Sequence, residues 1–169
     1  MPAEVLLALI ILQRVAELVL AARNTRRLRA LGAEEHGAAH YPFIVMLHVA
    51  WLVAIAMAGA GLTVGWAWVA AWLALQALRV WTLASLGPRW TTRILILPGV
   101  PPVRSGPYRW LPHPNYLIVA AELALVPLAL GAPGLALAFT LLNGVAMAVR
   151  IPTEARALRR ASDRRADPP

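Results

Sequence analysis

Five apolar runs, each close to the length that crosses a bilayer, constrain this chain more than any other feature. In hydrocarbon every backbone N–H and C=O must be satisfied internally, so a spanning segment is a helix of about 20 mostly apolar residues. Runs at residues 3–22, 43–60, 64–84, 116–131 and 133–151 meet or approach that length. The fourth is short and carries Glu122 and Pro127, so it is predicted to kink or to depend on its neighbours. The chain is 60% hydrophobic with mean hydropathy +0.63, where soluble domains lie nearer half apolar. The expected fold is therefore all-α, a polytopic membrane protein of about five spanning helices. One domain, residues 1–160, is expected, followed by a flexible tail at 161–169. The first run holds Gln13, Arg14 and Glu17 at its middle and reads as a retained helix, not a signal peptide.

The connections between runs are unequal. Residues 60–64 and 131–134 form short turns without charge, whereas the other three flanks are long and basic. Arg23, Arg26, Arg27 and Arg29 lie in the first, Arg89, Arg93, Arg104 and Arg109 in the third loop, and Arg156, Arg159, Arg160, Arg164 and Arg165 in the tail. With five helices all three fall on one side, and the positive-inside rule places that side in the cytoplasm and the amino terminus outside. The formal net charge of +8 is thereby explained without nucleic acid, and no nucleic-acid motif accompanies it. The absence of cysteine excludes disulfides, thiolate nucleophiles and cysteine metal sites.

Charged side chains inside spans are functional hypotheses by default. Arg14 and Glu17 stand three apart on the first helix and can pair. Arg79, near the end of the third span, can snorkel to the interface. Glu122 has no cation nearby in sequence and needs an inward partner, a proton or a polar cavity, which makes it a candidate substrate-binding residue. His36 and His40 have a spacing that binds metal on a helix, but Gly37 interrupts them and no third ligand is evident, so no metal site is expected. His48 reads as a hydrogen-bonded packing residue.

The most informative stretch runs from Leu86 to Tyr116 and holds eight prolines and glycines between Pro98 and Pro114. They prevent helix and fix turns. Trp, Tyr, Ile and Leu interleave with them, so an ordered lid against the membrane face is predicted; an interfacial aromatic belt of Trp90, Tyr108, Trp110 and Tyr116 is the plainer alternative. A second stretch, Arg150-Ile-Pro-Thr-Glu154, marks the exit of the fifth helix. If the helix continues through Pro152, Arg150 and Glu154 share a face, and spacing alone favours an ion pair.

Gly106-Pro107-Tyr108, then His113-Pro114-Asn115-Tyr116, then Arg150 and Glu154 beyond a hydrophobic hairpin together resemble the isoprenylcysteine carboxyl methyltransferases and their bacterial relatives. The resemblance covers nearly the whole chain. Gln13-Arg14, Arg23-Asn24, Gly32-Ala33, His40-Tyr41 and Arg89-Trp90-Thr91 through Pro98-Gly99 look like the small bacterial enzymes that act beside type III polyketide synthases on alkylpyrones and alkylresorcinols. Three features depart from the wider pattern: Pro112 stands where arginine precedes His-Pro, the tail lacks the Phe-Gly and tyrosine signature of the eukaryotic enzymes, and it offers one glutamate where the family often shows two or more. These differences weaken prenylcysteine as the acceptor more than they weaken the methyl donor.

The resemblance implies S-adenosylmethionine as methyl donor, a lipophilic acceptor drawn from the membrane, and a functional link to a type III polyketide synthase. It implies donor contacts at Val100, Pro101, Pro102, Val103, Tyr108, His113, Pro114, Asn115, Tyr116 and Glu154. Arg150 would meet the acceptor's oxygen, and Arg93 is a further partner for the donor's carboxylate; a phenol acceptor, with its pKa near 10, would need help from His113 or Glu122 to lose its proton. Competing expectations are a phospholipid N-methyltransferase, in which Glu122 would serve an amine; a membrane sterol reductase; and a non-catalytic membrane module.

Overall fold

The computed structural model describes residues 1–166, with side chains described through residue 163. Its helices are α1 Ala3–Ala30, α2 Tyr41–Gly59, α3 Trp66–Leu86, α4 Pro114–Ala129 and α5 Pro133–Ala166. Two short strands, β1 Glu34–His36 and β2 Ile94–Ile96, pair antiparallel with Glu35 opposite Leu95. Four of the helices are long and apolar enough to cross a membrane, and α4 is a shorter apolar one. The chain is an all-α polytopic membrane protein.

At 1.5 Å per residue α4 is about 24 Å long, less than the roughly 30 Å hydrocarbon core. It is nonetheless the most enclosed helix: Ile118, Glu122, Leu123 and Val126 are buried, and it packs chiefly on α3 and α5. One face of α4, with Leu117 and Leu128, stays exposed, while the opposite face is buried in protein. Pro127 has no N–H to donate to the carbonyl of Leu123, one turn earlier. The indole Nε1 of Trp51 on α2 donates to that carbonyl at 3.3 Å, so a lost helical bond becomes a tie between helices. The core around this tie comprises Ile10, Leu47, Ile55, Val69, Trp72 and Phe139. Large apolar side chains such as Leu12, Met57, Val80 and Leu137 point outward, as lipid-facing surfaces require.

Helix α5 continues through Pro152. The Thr153 hydroxyl donates to the Val149 carbonyl beside the break at 2.8 Å. With 34 residues α5 is about 51 Å long and projects beyond the spans at the end where the basic flanks gather. Residues 161–166, expected to belong to a tail, continue this helix, and residues 167–169 lie outside the described residues.

Candidate active site

The proline-rich loop is held in place from three directions. Buried Asn24 on α1 donates from Nδ2 to the Trp90 carbonyl at 2.8 Å. Arg89 donates to the Pro101 carbonyl at 2.7 Å and fixes the run that follows β2. Arg93 on the other side pairs with Glu35 of β1 at 2.5 Å and lies over the Tyr41 ring at 4.2 Å, while Arg29 grips the same carboxylate. Burial raises the Glu35 carboxyl, but these two guanidiniums outweigh it and hold the group below its ordinary range. Further along, a 3-10 turn at Gly106–Arg109 packs on α3. Gly106 has φ +57, and a Cβ there would lie 2.0 Å from the Ser85 hydroxyl oxygen. Only glycine allows this approach, which sets the position of Tyr108 two residues on.

Between this loop, α1, α2 and the adjoining ends of α4 and α5 lies a cavity of about 380 Å³. That volume falls within the range of small-molecule sites, about 300–1,000 Å³. Val100, Pro101, Pro102 and Val103 form one wall, and Tyr108, His113, Asn115 and Tyr116 another. Arg150 and Glu154 close it from α5. The residues singled out from sequence are thus brought together, with two exceptions. Pro114 is buried at the first turn of α4 and does not line the cavity, and Glu122 lies beneath its floor.

Arg150 and Glu154 meet on Tyr116. The Arg150 Nε donates to the Tyr116 hydroxyl at 2.9 Å, and that hydroxyl donates to Glu154 Oε2 at 2.6 Å. Arg150 also donates to the Thr92 carbonyl at 2.8 Å and is 6% exposed. His113 stacks on the Tyr116 ring, centroids 5.2 Å apart, with its Nδ1 3.5 Å from Glu154 Oε2. Burial, reinforced by Glu154, raises the Tyr108 phenol, so it stays a neutral hydroxyl at physiological pH.

The walls suit a sulfonium nucleoside donor. Glu154 is a partly exposed carboxylate for a cationic group, and the proline run and tyrosines offer apolar and ring faces. Asn115 Oδ1, Asn143 Oδ1 and Trp90 Nε1, all on cavity-lining residues, are buried without a partner among the described residues. Such orphans in a native structure call for a ligand or water.

At the membrane end, the polar residues read separately in the sequence form one assembly. Arg14 pairs with Glu17 at 2.7 Å and with Glu122. Arg79 pairs with Glu17 at 3.2 Å and with Glu122 at 2.6 Å. Arg79 therefore does not snorkel: it is 3% exposed and turned inward, because two carboxylates there replace the water it would seek. Glu122 also accepts from Trp72 and Gln76, at 3.2 and 3.1 Å. Gly37, at φ +65, separates β1 from the turn that carries His40, so the helical spacing a His36/His40 metal pair would need is absent. Sequence reasoning missed Asn143 and Thr92. An asparagine inside an apolar span was the available signal for the first; Thr92 contributes a backbone carbonyl, which leaves no trace in side-chain type.

Fold and site together define a polytopic membrane protein with a ligand-sized cavity walled by a proline-rich loop at its basic end. Residues 68–160 match the family model of the isoprenylcysteine carboxyl methyltransferase (ICMT) family, and the chain belongs to that family of membrane methyltransferases. It is 38% identical over 158 residues to a Bacillus subtilis (strain 168) protein named "Uncharacterized protein YpbQ", covering 90% of this chain and 94% of that one. No solved structure matches it.

Proposed function

We propose that this chain transfers a methyl group from S-adenosylmethionine to an oxygen of a lipophilic acceptor, with an alkylpyrone or alkylresorcinol as the favoured acceptor class and an isoprenylcysteine-like carboxylate as the other. The observation that carries the reading is the Arg150–Tyr116–Glu154 relay opening on a cavity with a proline wall. It offers a cation and an anion side by side, held by one hydroxyl. The donor supplies a methyl activated on sulfonium, so the protein's task is alignment in a dry, shaped site. Glu154 holds the donor's positive end, with Tyr108, Asn115 and the run 100–103 enclosing the remainder. Arg150 steadies the acceptor's oxygen as it gives up charge, and His113, stacked on Tyr116, takes the proton when that oxygen belongs to a phenol.

An oxygen acceptor is favoured over an amine because Glu122 already accepts from two guanidiniums, Trp72 and Gln76. The basic end, and with it the site, faces the cytoplasm by the positive-inside rule. A type III polyketide synthase is the matching source of such an acceptor. The test is incubation of the purified full chain with methyl-labelled S-adenosylmethionine and chemically defined lipids. Label in a methyl ether or ester supports the reading; label confined to phospholipid amines, or none in any lipid, contradicts it.

A further inference from the structure

We infer that the membrane end of the cavity is a second binding subsite, one that reads an uncharged hydroxyl on the acceptor apart from the oxygen being methylated. The inference rests on the methyltransferase reading and deepens it to a class of acceptor, a lipid whose head carries at least two oxygens.

The assembly at that end has an unusual symmetry. Arg14 and Arg79 each give one terminal nitrogen to Glu17 and the other to Glu122. Two cations face two anions, so the assembly is formally neutral and has no unmatched charge with which to attract an ion. What it has left over is hydrogen-bond donation. Both Arg14 Nε and Arg79 Nε are buried without a partner among the described residues, and both residues line the cavity. A guanidinium offers more N–H groups than two carboxylates take up.

His48 supplies the complementary group. It lines the same cavity within electrostatic reach of Arg14, Arg79 and Glu17, and its Nδ1 lies 2.8 Å from the Ile44 carbonyl oxygen. A carbonyl only accepts, so Nδ1 carries the proton and Nε2 is the acceptor. Guanidinium donors next to an imidazole acceptor match a hydroxyl, which accepts from the first and donates to the second. A purely structural brace for three helices would need the four charges, but it would need neither a cavity-lining His48 nor cavity-lining arginines with spare donors.

The surroundings define the remainder of the ligand. Leu18 on α1 and Val45 and Val49 on α2 line this end of the cavity, and each is also more than one-third exposed on the lipid-facing surface. An alkyl chain fits there. Along α4, Glu122 lies six residues from Tyr116, a rise of about 9 Å, so the subsite sits deeper in the membrane than the Arg150 relay.

Binding to the full chain in lipid nanodiscs tests this, with pentadecylresorcinol and the pentadecylphenol that lacks one hydroxyl as probes. The native chain should bind the resorcinol at least about tenfold tighter, the scale of one hydrogen bond to a charged group. His48→Leu should abolish that preference by weakening the resorcinol alone, with S-adenosylhomocysteine binding reporting an intact donor site. Equal or absent binding of the two lipids by the native chain overturns the inference, as does a preference that survives His48→Leu. If the native chain does not bind S-adenosylhomocysteine, the methyltransferase reading fails separately, and the lipid comparison still decides the subsite.

Discussion

Arg150 and Glu154, one turn apart on α5, contact each other only through the hydroxyl of Tyr116 on α4, which accepts from Arg150 at 2.9 Å and donates to Glu154 at 2.6 Å. One phenol thus sets the direction of both charged groups. Tyr116→Phe keeps the ring and its stacking on His113 but removes the hydroxyl that links Arg150 to Glu154, leaving Arg150 on the Thr92 carbonyl and Glu154 beside His113. The expected result is a fall of about 10–100-fold in methyl-transfer efficiency, the scale of losing 1.5–3 kcal/mol of charge-assisted hydrogen bonding, with thermal stability little changed. Kinetics with labelled donor measures it; near-native transfer would show that the relay does not position the reacting groups.

Arg150 and Glu154 have different neighbours, and their variants should differ accordingly. Arg150→Ala is expected to spare donor binding and lower kcat/KM for the acceptor, while Glu154→Gln weakens the donor. Partners in a single bridge would show strong coupling in the double variant, whereas contacts to separate ligands are more nearly additive. Identical losses of donor affinity in both single variants would contradict the division.

The Tyr108 phenol, raised by burial and by Glu154, stays neutral below its ordinary value near 10. Its contribution is present throughout that range and is lost only as pH climbs past the raised value. Affinity for S-adenosylhomocysteine, followed by calorimetry, should therefore be flat from roughly pH 7 to 9 as far as Tyr108 is concerned. A loss of affinity inside that window that disappears in Tyr108→Phe would show the phenol ionising in the site.

Trp51→Phe leaves the Leu123 carbonyl, already deprived of a helical partner by Pro127, without its indole donor. A buried unsatisfied carbonyl costs about 1–3 kcal/mol. Adding Pro127→Ala returns a backbone N–H and should recover much of that loss. Thermal unfolding in detergent reads the cycle; purely additive losses would mean that the two sites are uncoupled.

Single cysteines at Ser105 and Ser162, in a chain that has none, should resist an impermeant thiol reagent in intact cells and react after lysis. Reaction before lysis would reverse the orientation.

The spans were legible because bilayer thickness imposes a length on apolar runs and gathers most of the charge into the flanks between them. Tyr108, His113, Tyr116, Arg150 and Glu154, singled out through a family resemblance, do line one cavity, whereas their spacing alone favoured no more than an ion pair between Arg150 and Glu154. Sequence could not show how the long-range partners combine. Glu122 has no neighbouring cation along the chain, yet it meets Arg14 and Arg79 from two other helices. The same distance in sequence hid the inward turn of Arg79, whose carboxylate partners lie on α1 and α4.

Donor binding in the cavity beneath the proline-rich loop, held by Glu154, is the step on which the proposed methyl transfer depends. Calorimetric titration of S-adenosylhomocysteine into the purified full chain and into Glu154→Gln tests it most directly. The expected result is one site per chain in the native protein and about tenfold or greater weakening in the variant. No binding to the native chain, or equal affinity in the two, would contradict it.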